Sequence, residues 1–281
     1  MLQGLPASGK STRAKELVDT GNWIRVNRDL IRTMLHFDKF NGRNEGLTVD
    51  AEKALVRTFL LAGKSVVVDD TNLNPKNKEM WKVIASECRS SFAVEKIETD
   101  YYECITRNIE RGKPVHNSVI RNMALQYNLV RKPEKGWVLC DIDGTVADIE
   151  HRLHFVNKEP KDWKGFFGAM EEDKPREVVV KLLREYIEQG HGIIFVSARP
   201  EQYRDKTEKW LMNNVSEFFF TLLMRRANDK RPDTEVKQDI LDTYFTDRSK
   251  IFRVIDDRPS VIRMWKSNGL EVIDVGKGIE F

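Results

Sequence analysis

The sequence lacks any long apolar run. Across 281 residues, no stretch approaches the ~18 apolar residues that a membrane-spanning helix requires. It also lacks the apolar segment and cleavage site of a signal peptide, because a glycine-rich loop already begins at residue 4. We therefore expect no membrane segment and a cytoplasmic location. Internal repeats and low-complexity segments are absent as well.

Cysteine is scarce. Cys88, Cys104 and Cys140 are odd in number and widely separated, with no CxxC pair and no histidine at metal-binding spacing. This pattern excludes a disulfide framework and a cysteine-based zinc site. We interpret all three as reduced packing residues.

Neither sign of charge dominates the chain, since 47 Lys and Arg stand against 44 Asp and Glu, for a net charge of +3. The length is large for one compact core, so we expect two domains of roughly 130 to 150 residues. Residues 1–132 carry 22 basic against 16 acidic side chains, and residues 133–281 carry 25 against 28. The excess of +6 in the first half suits an anionic partner larger than a single nucleotide, although a solvated surface explains much of it.

The segment 128–136 is polar, contains proline and glycine, and separates two stretches that each restart with a strand and a phosphate-type loop. We place the domain boundary there, giving domains 1–131 and 132–281. Apolar runs alternate with amphipathic stretches in both. This predicts two α/β domains, each a mostly parallel sheet flanked by helices.

Capping and turn residues predict the individual elements. We expect helices at 11–20, 48–63, 75–88 and 178–189, and a further helix that ends at residue 112. We expect strands at 65–69, 93–97, 137–141, 192–196, 218–224 and 252–256. Ligands of open α/β sheets bind at the carboxyl ends of the strands, so the polar residues that follow these strands are the candidate site residues.

Residues 4–12 read GLPASGKST and match the pattern GxxxxGK[ST], directly before a predicted helix. The backbone N–H groups of such a loop cradle phosphates, Lys10 would reach the β- and γ-phosphates, and Ser11 would ligate Mg²⁺. Only three residues precede the loop, so either its strand is very short or the true start lies further upstream. The predicted binding residues for ATP or another nucleoside triphosphate are Gly4, Ser8, Gly9, Lys10, Ser11 and Thr12.

The segment NRDLIR, residues 27–32, is the best candidate for activating an acceptor hydroxyl. Asp29 would accept the proton of that hydroxyl, and Arg28 and Arg32 would hold an acceptor phosphate. An ordinary aspartate cap with solvated arginines is the alternative.

Two further sets of polar residues belong to the first half. Asp70 and Asn72 follow a predicted buried strand, where a second phosphate-site or metal-organising acid is often found, although a turn explains them too. Arg107 and Arg111 lie four apart on one predicted helix and would close over the triphosphate from one face. Solvated pairs with this spacing are common.

In the second half, an apolar strand precedes DIDGT at residues 141–145. Asp141 would attack phosphorus, while Asp143 would protonate the departing alkoxide and then activate water. Later strand ends supply the other parts. Thr145 and Ser197 would bind the phosphoryl group, Lys237 would neutralise it, and Mg²⁺ would bind Asp141, Asp143, Asp256 and Asp257.

Each part of this second set has another explanation: a calcium or turn loop, a surface lysine, or a helix cap. Their coincidence on successive strand ends favours a phosphatase site. Only about fifty residues separate Thr145 from Ser197, which leaves little material for a closing cap domain. We therefore expect an open site that admits the end of a polymer.

The motifs together resemble the bifunctional phage polynucleotide 5′-kinase/3′-phosphatase family over nearly the whole length. The matching segments are GLPASGKST, NRDLIR, DDTNLNP, RNIERGKPV, DIDGT, VSARP, EVK and IDDRP, in the order of that family. The resemblance implies a kinase domain of P-loop NTPase type, followed by a Rossmann-like phosphatase domain of haloacid-dehalogenase type with a minimal cap. Animal repair enzymes have the reverse order.

The resemblance also implies roles. Asp29 would be the general base, Arg32 would contact the acceptor end, and Arg107 and Arg111 would engage the donor phosphates. Asp70 would help to order the kinase site. Further positions for phosphate, metal or site support are Arg152, Ser197, Arg199, Arg225, Asp233, Lys237, Asp256, Asp257 and Arg258.

By the same resemblance, the protein would phosphorylate 5′-hydroxyl ends and remove 3′-phosphates from RNA or DNA, using Mg²⁺ and ATP or another nucleoside triphosphate. A polynucleotide ligase would then seal the ends. A homo-oligomer, namely a tetramer, would agree with the resemblance. A phage origin would place the protein in the cytoplasm of an infected host.

Two other classes stay open at this point. One is a sugar or nucleoside kinase fused to a small-molecule phosphatase, which the +6 charge and the short cap disfavour. The other is a nucleic-acid-binding module with decayed sites, which the presence of Lys10, Asp29, Asp141 and Asp143 disfavours. The sequence does not indicate RNA or DNA, because end recognition needs no base reading and no aromatic stacking motif stands out.

Overall fold

The computed structural model describes residues 1–39, 41–112, 114–130, 133–216 and 219–278. The chain forms two compact units, Met1–Leu129 and Val130–Phe281. The predicted boundary between residues 131 and 132 lies outside the described residues. Within the described ranges, no helix is both long and apolar enough to cross a membrane.

The first unit is built from short parallel strand pairs and six helices along its described residues. The strands are β1 (Leu2–Gln3), β2 (Trp23–Val26), β3 (Ser65–Val68) and β4 (Glu95–Lys96). The helices are α1 (Lys10–Asp19), α2 (Arg28–His36), α3 (Gly42–Leu61), α4 (Pro75–Glu87), α5 (Tyr101–Glu110) and α6 (Asn117–Gln126). β1 pairs with β4 and β2 pairs with β3, both in parallel. Apolar faces of α3 and α4 cover β2 and β3, with Val26, Val56, Val68, Trp81 and Ile84 in the core.

Local sequence determines where several of these helices begin. Asn74 caps α4 by accepting a hydrogen bond from the Lys76 N–H, and Pro75 occupies the first turn, as predicted. α3 begins earlier than predicted, because Asn41 accepts from the Asn44 N–H and caps a turn at Gly42. α5 ends earlier, at Glu110, and Arg111 has an extended backbone with φ −82° and ψ 150°. The prediction that Arg107 and Arg111 share one helix face is therefore wrong.

The strand before the glycine-rich loop has two residues. The main chain of Glu95 and Ile97 donates to the carbonyls of Met1 and Gln3, and the Gly4 N–H donates to Thr71. Asn72 adds a side-chain bridge: its Nδ2 donates to the Leu2 carbonyl at 2.8 Å, and its Oδ1 accepts from the Trp81 indole at 3.3 Å. A fully buried amide thus holds the short strand in place.

The second unit contains a five-stranded parallel sheet, which confirms the predicted α/β class. Its strands are β5 (Trp137–Cys140), β8 (Gly192–Pro200), β9 (Thr221–Arg225), β10 (Ile251–Asp256) and β11 (Val272–Asp274). Their spatial order is β11-β10-β5-β8-β9. β9 starts later than predicted, and the first residue of the predicted range, 218, lies outside the described residues.

Four long helices accompany this sheet: α8 (Glu177–Glu188), α9 (Arg204–Asn214), α10 (Asp233–Tyr244) and α11 (Pro259–Ser267). The core includes Val138, Leu183, Phe195, Trp210 and Leu222. Because β5 lies between β10 and β8, the residues that follow these three strands meet at one edge of the sheet.

A small cover of about 29 residues lies between β5 and α8 in the sequence. It contains an antiparallel pair, β6 (Ala147–Asp148) with β7 (Lys174–Pro175), a 3₁₀ turn at Glu150–Phe155, and the helix α7 (Trp163–Gly168). Ile149, Val156 and Phe166 form its own small core. This agrees with a minimal cap, although the cover does have packed structure.

We predict that Asn72→Ala destabilises the first unit by about 1–3 kcal/mol, because the Trp81 indole and the Leu2 carbonyl lose a buried partner. Asn128→Ala is the matched control: Asn128 shares the left-handed backbone, with φ 55° against 48°, but is exposed. Urea unfolding with hydrogen exchange assigns the change to residues 1–129. Equal losses in the two variants would contradict the role of the side-chain bridge.

Candidate active sites

The glycine-rich loop of the first unit has the backbone that a phosphate cradle needs. Gly9 caps α1 with φ 104°, a left-handed conformation that favours glycine. A side chain at Gly4 would lie 2.8 Å from the Ile97 carbonyl oxygen, so this position is restricted sterically too. α1 has no acidic residue in its first turn, and its N-terminal N–H groups meet no competing carboxylate there.

Lys10 is buried, and its Nζ donates to the Leu5 carbonyl at 2.5 Å. Burial lowers its pKa, while the carboxylates of Asp69 and Asp70 oppose the shift. Lys10 therefore lies at the glycine-rich loop of residues 4–12 and contacts it directly. Ser8 is buried beside it, with Oγ at 3.4 Å from Nζ, whereas Thr12 is exposed on the first turn of α1.

Asp69 is a site residue that the sequence interpretation missed in favour of Asp70. It is 2% exposed, and its Oδ2 accepts from Arg25 Nε at 2.7 Å, while Arg25 Nη2 lies 3.4 Å from Ser11 Oγ. The other oxygen, Oδ1, has no hydrogen-bond partner among the described residues. An unpartnered buried carboxylate oxygen near the loop serine fits the pair that holds Mg²⁺ in P-loop enzymes. The signal was available, since Asp69 is the first acid after β3.

Asp29 and Arg32 lie in the first two turns of α2, a helix that the sequence analysis did not predict. The Asp29 side chain is 81% exposed and accepts from Arg32 at 2.5 Å. Glu45 holds the Arg32 guanidinium through two bonds, at 2.9 and 3.0 Å, and this raises the pKa of Arg32. Glu45, on α3, is a second residue that sequence reasoning missed. Asp29 is therefore an accessible carboxylate whose orientation is fixed by Arg32, and Glu45 in turn fixes Arg32.

Arg28 does not face solvent as an acceptor ligand would. Its Nη2 and Nε bind the fully buried Glu52 at 2.7 and 2.8 Å, and its backbone N–H donates to Asp70. The substrate-binding role predicted for Arg28 is therefore replaced by a supporting one. The substrate-binding role predicted for Asn72 is corrected in the same way, because its side-chain amide is hydrogen-bonded to the Leu2 carbonyl and the Trp81 indole.

Glu52 and Asp70 form an acid pair. Burial, and then the neighbouring Asp70, raise the pKa of Glu52 to about 9, although Arg28 opposes the shift. Glu52 Oε1 and Asp70 Oδ2 are both buried without a hydrogen-bond partner elsewhere in the described part of the chain. A proton on Glu52, which the raised pKa favours, would give these two oxygens a hydrogen bond to each other.

Arg107 and Arg111 both approach the loop, but from different segments. Arg107 is on α5, where Glu103 holds it at 2.8 Å, and its Nη1 lies 3.5 Å from the Ser8 carbonyl oxygen. Arg111 follows the helix, and its charge contributes to lowering the pKa of Lys10. Its buried Nε has no hydrogen-bond partner among the residues that the structure describes. Two cations thus border the loop even though they do not share a helix face.

In the second unit, the residues after β5 and β10 form one carboxylate cluster. Lys237 Nζ donates to Asp141 at 2.7 Å and to Asp256 at 2.8 Å. Oxygens of Asp141, Asp256 and Asp257 lie within 4.8 Å of one another. Thr145, predicted to bind a phosphoryl group, instead donates to Asp257 at 3.0 Å. All five side chains are buried.

The charge of this cluster fits a divalent cation. Burial raises the pKa of Asp141 well above its usual range, with Asp256 and Asp257 adding to the shift and Lys237 opposing it. Burial and the adjacent Asp256 also raise the pKa of Asp257, to about 6. Three carboxylates against one lysine leave an excess negative charge, and oxygen donors of this kind suit Mg²⁺. A bound cation would favour the ionised form of each acid.

Asp143 lies beside this cluster, but its carboxylate is directed elsewhere. Arg199 donates to it from Nε and Nη2, at 2.9 and 2.6 Å, and Arg152 donates to it at 2.5 Å. Although burial opposes them, these two guanidiniums hold the pKa of Asp143 below its usual range. Within the part of the chain that the structure describes, the carboxylates close enough to share a metal ion are those of Asp141, Asp256 and Asp257, without Asp143. The predicted role of the Asp143 side chain as a metal ligand is corrected accordingly.

Arg152 and Arg199 are fully buried, so they do not form an open phosphate-binding surface. Both also bind Asp173, a buried acid just before β7 that sequence reasoning did not identify. Ser197 is likewise buried, and its hydroxyl accepts from the Arg199 N–H at 3.1 Å. Arg152 and Arg199 thus hold Asp143, and Ser197 contacts the backbone of Arg199. The substrate contacts predicted for these three residues stay a prediction.

Asp233 connects the two arginines that face the adjacent cavity. It accepts from Arg225 at 2.5 Å through one oxygen and from Arg258 through the other. Arg225 is further fixed by the carbonyls of Ala198 and Arg231. The cavity has a volume of about 830 Å³. Its walls include Asp141, Asp143, Arg225, Asp233, Lys237 and Arg258.

Comparisons with known proteins match each half of the chain to a family model. Residues 135–280 match the family model described as the polynucleotide kinase PNKP phosphatase domain, and residues 1–130 match an AAA domain. The first match spans more than half of the chain. The family expected from the sequence is thereby confirmed, while a phage origin stays a prediction.

The individual proteins that match this chain share limited sequence identity with it. A protein of Autographa californica nuclear polyhedrosis virus, provisionally assigned as a bifunctional polynucleotide kinase/RNA ligase, is 27% identical over 95% of this chain and 40% of its own length. The bifunctional polynucleotide phosphatase/kinase of Schizosaccharomyces pombe is 36% identical over 31% of this chain and 18% of its own. This chain thus spans less than half of either relative. A chain of the solved Pnkp1/Rnl/Hen1 RNA repair complex is 25% identical, with coverage of 99% and 96% and a TM-score of 0.43.

We predict that Glu52→Gln changes the pH dependence of stability. The folded-state pKa of about 9 exceeds the unfolded value of ~4.3, so wild-type stability is fully present below about pH 4 and falls as pH rises towards 9. Glutamine keeps a donor for Asp70 and an acceptor for Arg28 at every pH. Thermal unfolding between pH 6 and 9 should show the variant gaining on the wild type.

The control for this measurement is Glu87→Gln, which removes an exposed carboxylate that pairs with Arg57. It should follow the wild-type slope. Parallel curves for wild type and Glu52→Gln would show that no proton is held between Glu52 and Asp70.

Proposed function

Because the chain belongs to the family of the polynucleotide kinase PNKP phosphatase domain through residues 135–280, we propose that it repairs nucleic-acid ends with two separate sites. The first unit phosphorylates 5′-hydroxyl ends, and the second removes 3′-phosphates. The observation that carries this proposal is the opening of the Asp141 cluster into a cavity bordered by Arg225 and Arg258. A nucleophilic carboxylate beside paired arginines suits a phosphate ester that extends into a polyanion.

In the second unit, Asp141 attacks phosphorus and the bond from phosphorus to O3′ breaks. The departing O3′ receives the proton of Asp143. Water then attacks the aspartyl phosphate and gives its proton to Asp143, which releases inorganic phosphate and restores Asp141. Arg152 and Arg199 keep Asp143 ionised in the free protein, and the negative charge of an entering phosphate favours its protonation.

Asp141, Asp256 and Asp257 would hold Mg²⁺, which neutralises charge on the transferring phosphoryl group when bound. Lys237 holds Asp141 in place, and its positive charge also helps to neutralise the transferring phosphoryl group. The buried hydrogen bonds of Lys237 fix the attacking oxygen before substrate arrives, so little reorganisation is needed at the reaction step.

In the first unit, the loop at residues 4–12 binds the donor triphosphate, with ATP as the expected donor. Lys10, Arg107 and Arg111 neutralise its phosphates. Asp29 accepts the proton of the 5′-hydroxyl, whose oxygen attacks the γ-phosphorus as the bond to the β-phosphate oxygen breaks. Ser11 and Asp69 would hold Mg²⁺ there. The exposure of Asp29 suits a polymer end as acceptor.

The products are 5′-phosphate and 3′-hydroxyl ends, which a polynucleotide ligase joins. We propose such a ligase as the functional partner, with support from the viral relative that is assigned both kinase and RNA ligase activity. RNA or DNA ends are the substrates, and a homo-oligomer remains part of the proposal. A sugar or nucleoside kinase fused to a small-molecule phosphatase is less favoured, since the phosphatase family that matches is that of polynucleotide kinases.

We predict separable losses of activity on one oligonucleotide that carries a 5′-hydroxyl and a 3′-phosphate. Asp141→Asn should reduce 3′-phosphate release by roughly 10⁴-fold or more and spare transfer from labelled ATP. Asp29→Asn should reduce transfer by about 10²- to 10⁴-fold and spare phosphate release. Both reactions are measured on RNA and DNA versions of the oligonucleotide.

Asp50→Asn, an exposed change on α3, serves as the control and should leave both reactions intact. Phosphorylation of sugars or nucleosides by the wild type, with the oligonucleotide unchanged, would rule out the polynucleotide assignment. Loss of both reactions from either single change would rule out independent sites.

A further inference from the structure

The cavity beside Asp141 has an aromatic wall that the proposed chemistry does not use. It is formed by Trp163, Phe166 and Phe167, which lie on α7 of the small cover. Lys161, just before this helix, lines the cavity beside them. Asp162 caps this helix by accepting from the Gly165 N–H at 2.8 Å. The wall and the reacting carboxylates therefore border the same space.

Packing fixes the Trp163 ring from within the cover. Phe166, 2% exposed, meets it edge-on at 5.9 Å between ring centroids and an angle of 89°. Phe167 is nearly parallel to it, at 21° and 6.0 Å, and itself contacts Tyr203 at 5.2 Å. Trp163 nevertheless remains 47% exposed. A supported ring with an accessible surface is thus presented at the cavity.

The cation next to this ring matches an anionic, aromatic ligand. Lys161 Nζ lies 5.6 Å from the centroid of the Trp163 ring, within the range of a cation–π contact. Arg225 and Arg258 line the same cavity. A single exposed apolar residue needs no explanation. Here, however, the ring lines a cavity that also contains carboxylates and guanidiniums, so its position suits a ligand that carries both a planar ring and a phosphate.

Three kinds of wall thus meet in one cavity of about 830 Å³. The acidic cluster with Lys237 suits a phosphate with Mg²⁺, the arginines suit the next backbone phosphate, and the aromatic wall suits a planar ring. A nucleotide that carries a 3′-phosphate has these three parts in one molecule. A sugar phosphate lacks the planar ring.

We propose that Trp163 stacks on the nucleobase of the 3′-terminal nucleotide and that this contact selects nucleotide ends over other phosphate esters. The proposal rests on the 3′-phosphatase function and specifies its substrate. Stacking tolerates every base, because each has a π-face, so the contact gives little sequence preference. Trp163 binds and positions the substrate and takes no part in the bond changes.

The test compares two oligonucleotides with a 3′-phosphate, one with an ordinary terminal nucleotide and one whose terminal residue is an abasic tetrahydrofuran. Wild-type kcat/KM should be about 10- to 100-fold lower on the abasic end, as expected for loss of one stacked base. Trp163→Ala should show a similar loss on the ordinary end and no further loss on the abasic end. Trp163→Phe should retain most of the discrimination.

Phe252→Ala is the matched control, because Phe252 is 41% exposed in the same unit but lies near the start of β10, away from the cavity walls. It should behave as wild type. Equal wild-type rates on the two ends, or the same loss on both ends for Trp163→Ala, would overturn the stacking contact while leaving the phosphatase function in place. Absence of phosphate release from either end by the wild type would overturn the function itself. The wild-type comparison holds even if Trp163→Ala folds poorly.

Discussion

Lys237 lies buried between Asp141 and Asp256, at 2.7 and 2.8 Å from their carboxylates. Bringing acids from β5 and β10 together in the interior would be strongly unfavourable without a cation, because each desolvated carboxylate costs several kcal/mol. The lysine comes from α10 and offsets part of that cost. The Trp265 indole adds a bond to Asp256 at 3.0 Å. Lys237 thus links the ends of β5 and β10 to α10, around the carboxylate that we propose as the nucleophile.

Basic side chains also hold three other carboxylates of the two units in place. Arg25 restrains Asp69, Arg28 restrains Glu52, and Arg152 with Arg199 restrains Asp143. In each case a guanidinium fixes the orientation of a carboxylate before any phosphate is bound. Preorganised charge of this kind lowers the reorganisation needed in the transition state. It also explains why several arginines expected at the substrate lie fully buried behind the acids.

Motifs that are local in sequence were predictable. The loop at residues 4–12, the aspartates after β5 and β10, and Lys237 follow from residue type and strand position, and the α/β class follows from alternation. Residues supplied by distant segments were not. Glu52, Asp173 and Trp163 carry no motif of their own, and only the packing of α3 and the small cover brings them to the sites. Arg111 and Asn72 show the converse. α5 ends two residues earlier than predicted, so Arg111 does not share a helix face with Arg107, and burial of the Asn72 amide removes it from the substrate.

We propose that Asp141 carries the phosphoryl group during 3′-phosphate removal. The experiment that tests this mixes excess enzyme with an oligonucleotide labelled in its 3′-phosphate, quenches in acid within milliseconds, and locates the label after proteolysis. We expect transient label on the peptide that contains Asp141, which then passes to inorganic phosphate. Label on a peptide without Asp141, or phosphate release with no label on the protein at any time, would rule out this role of Asp141.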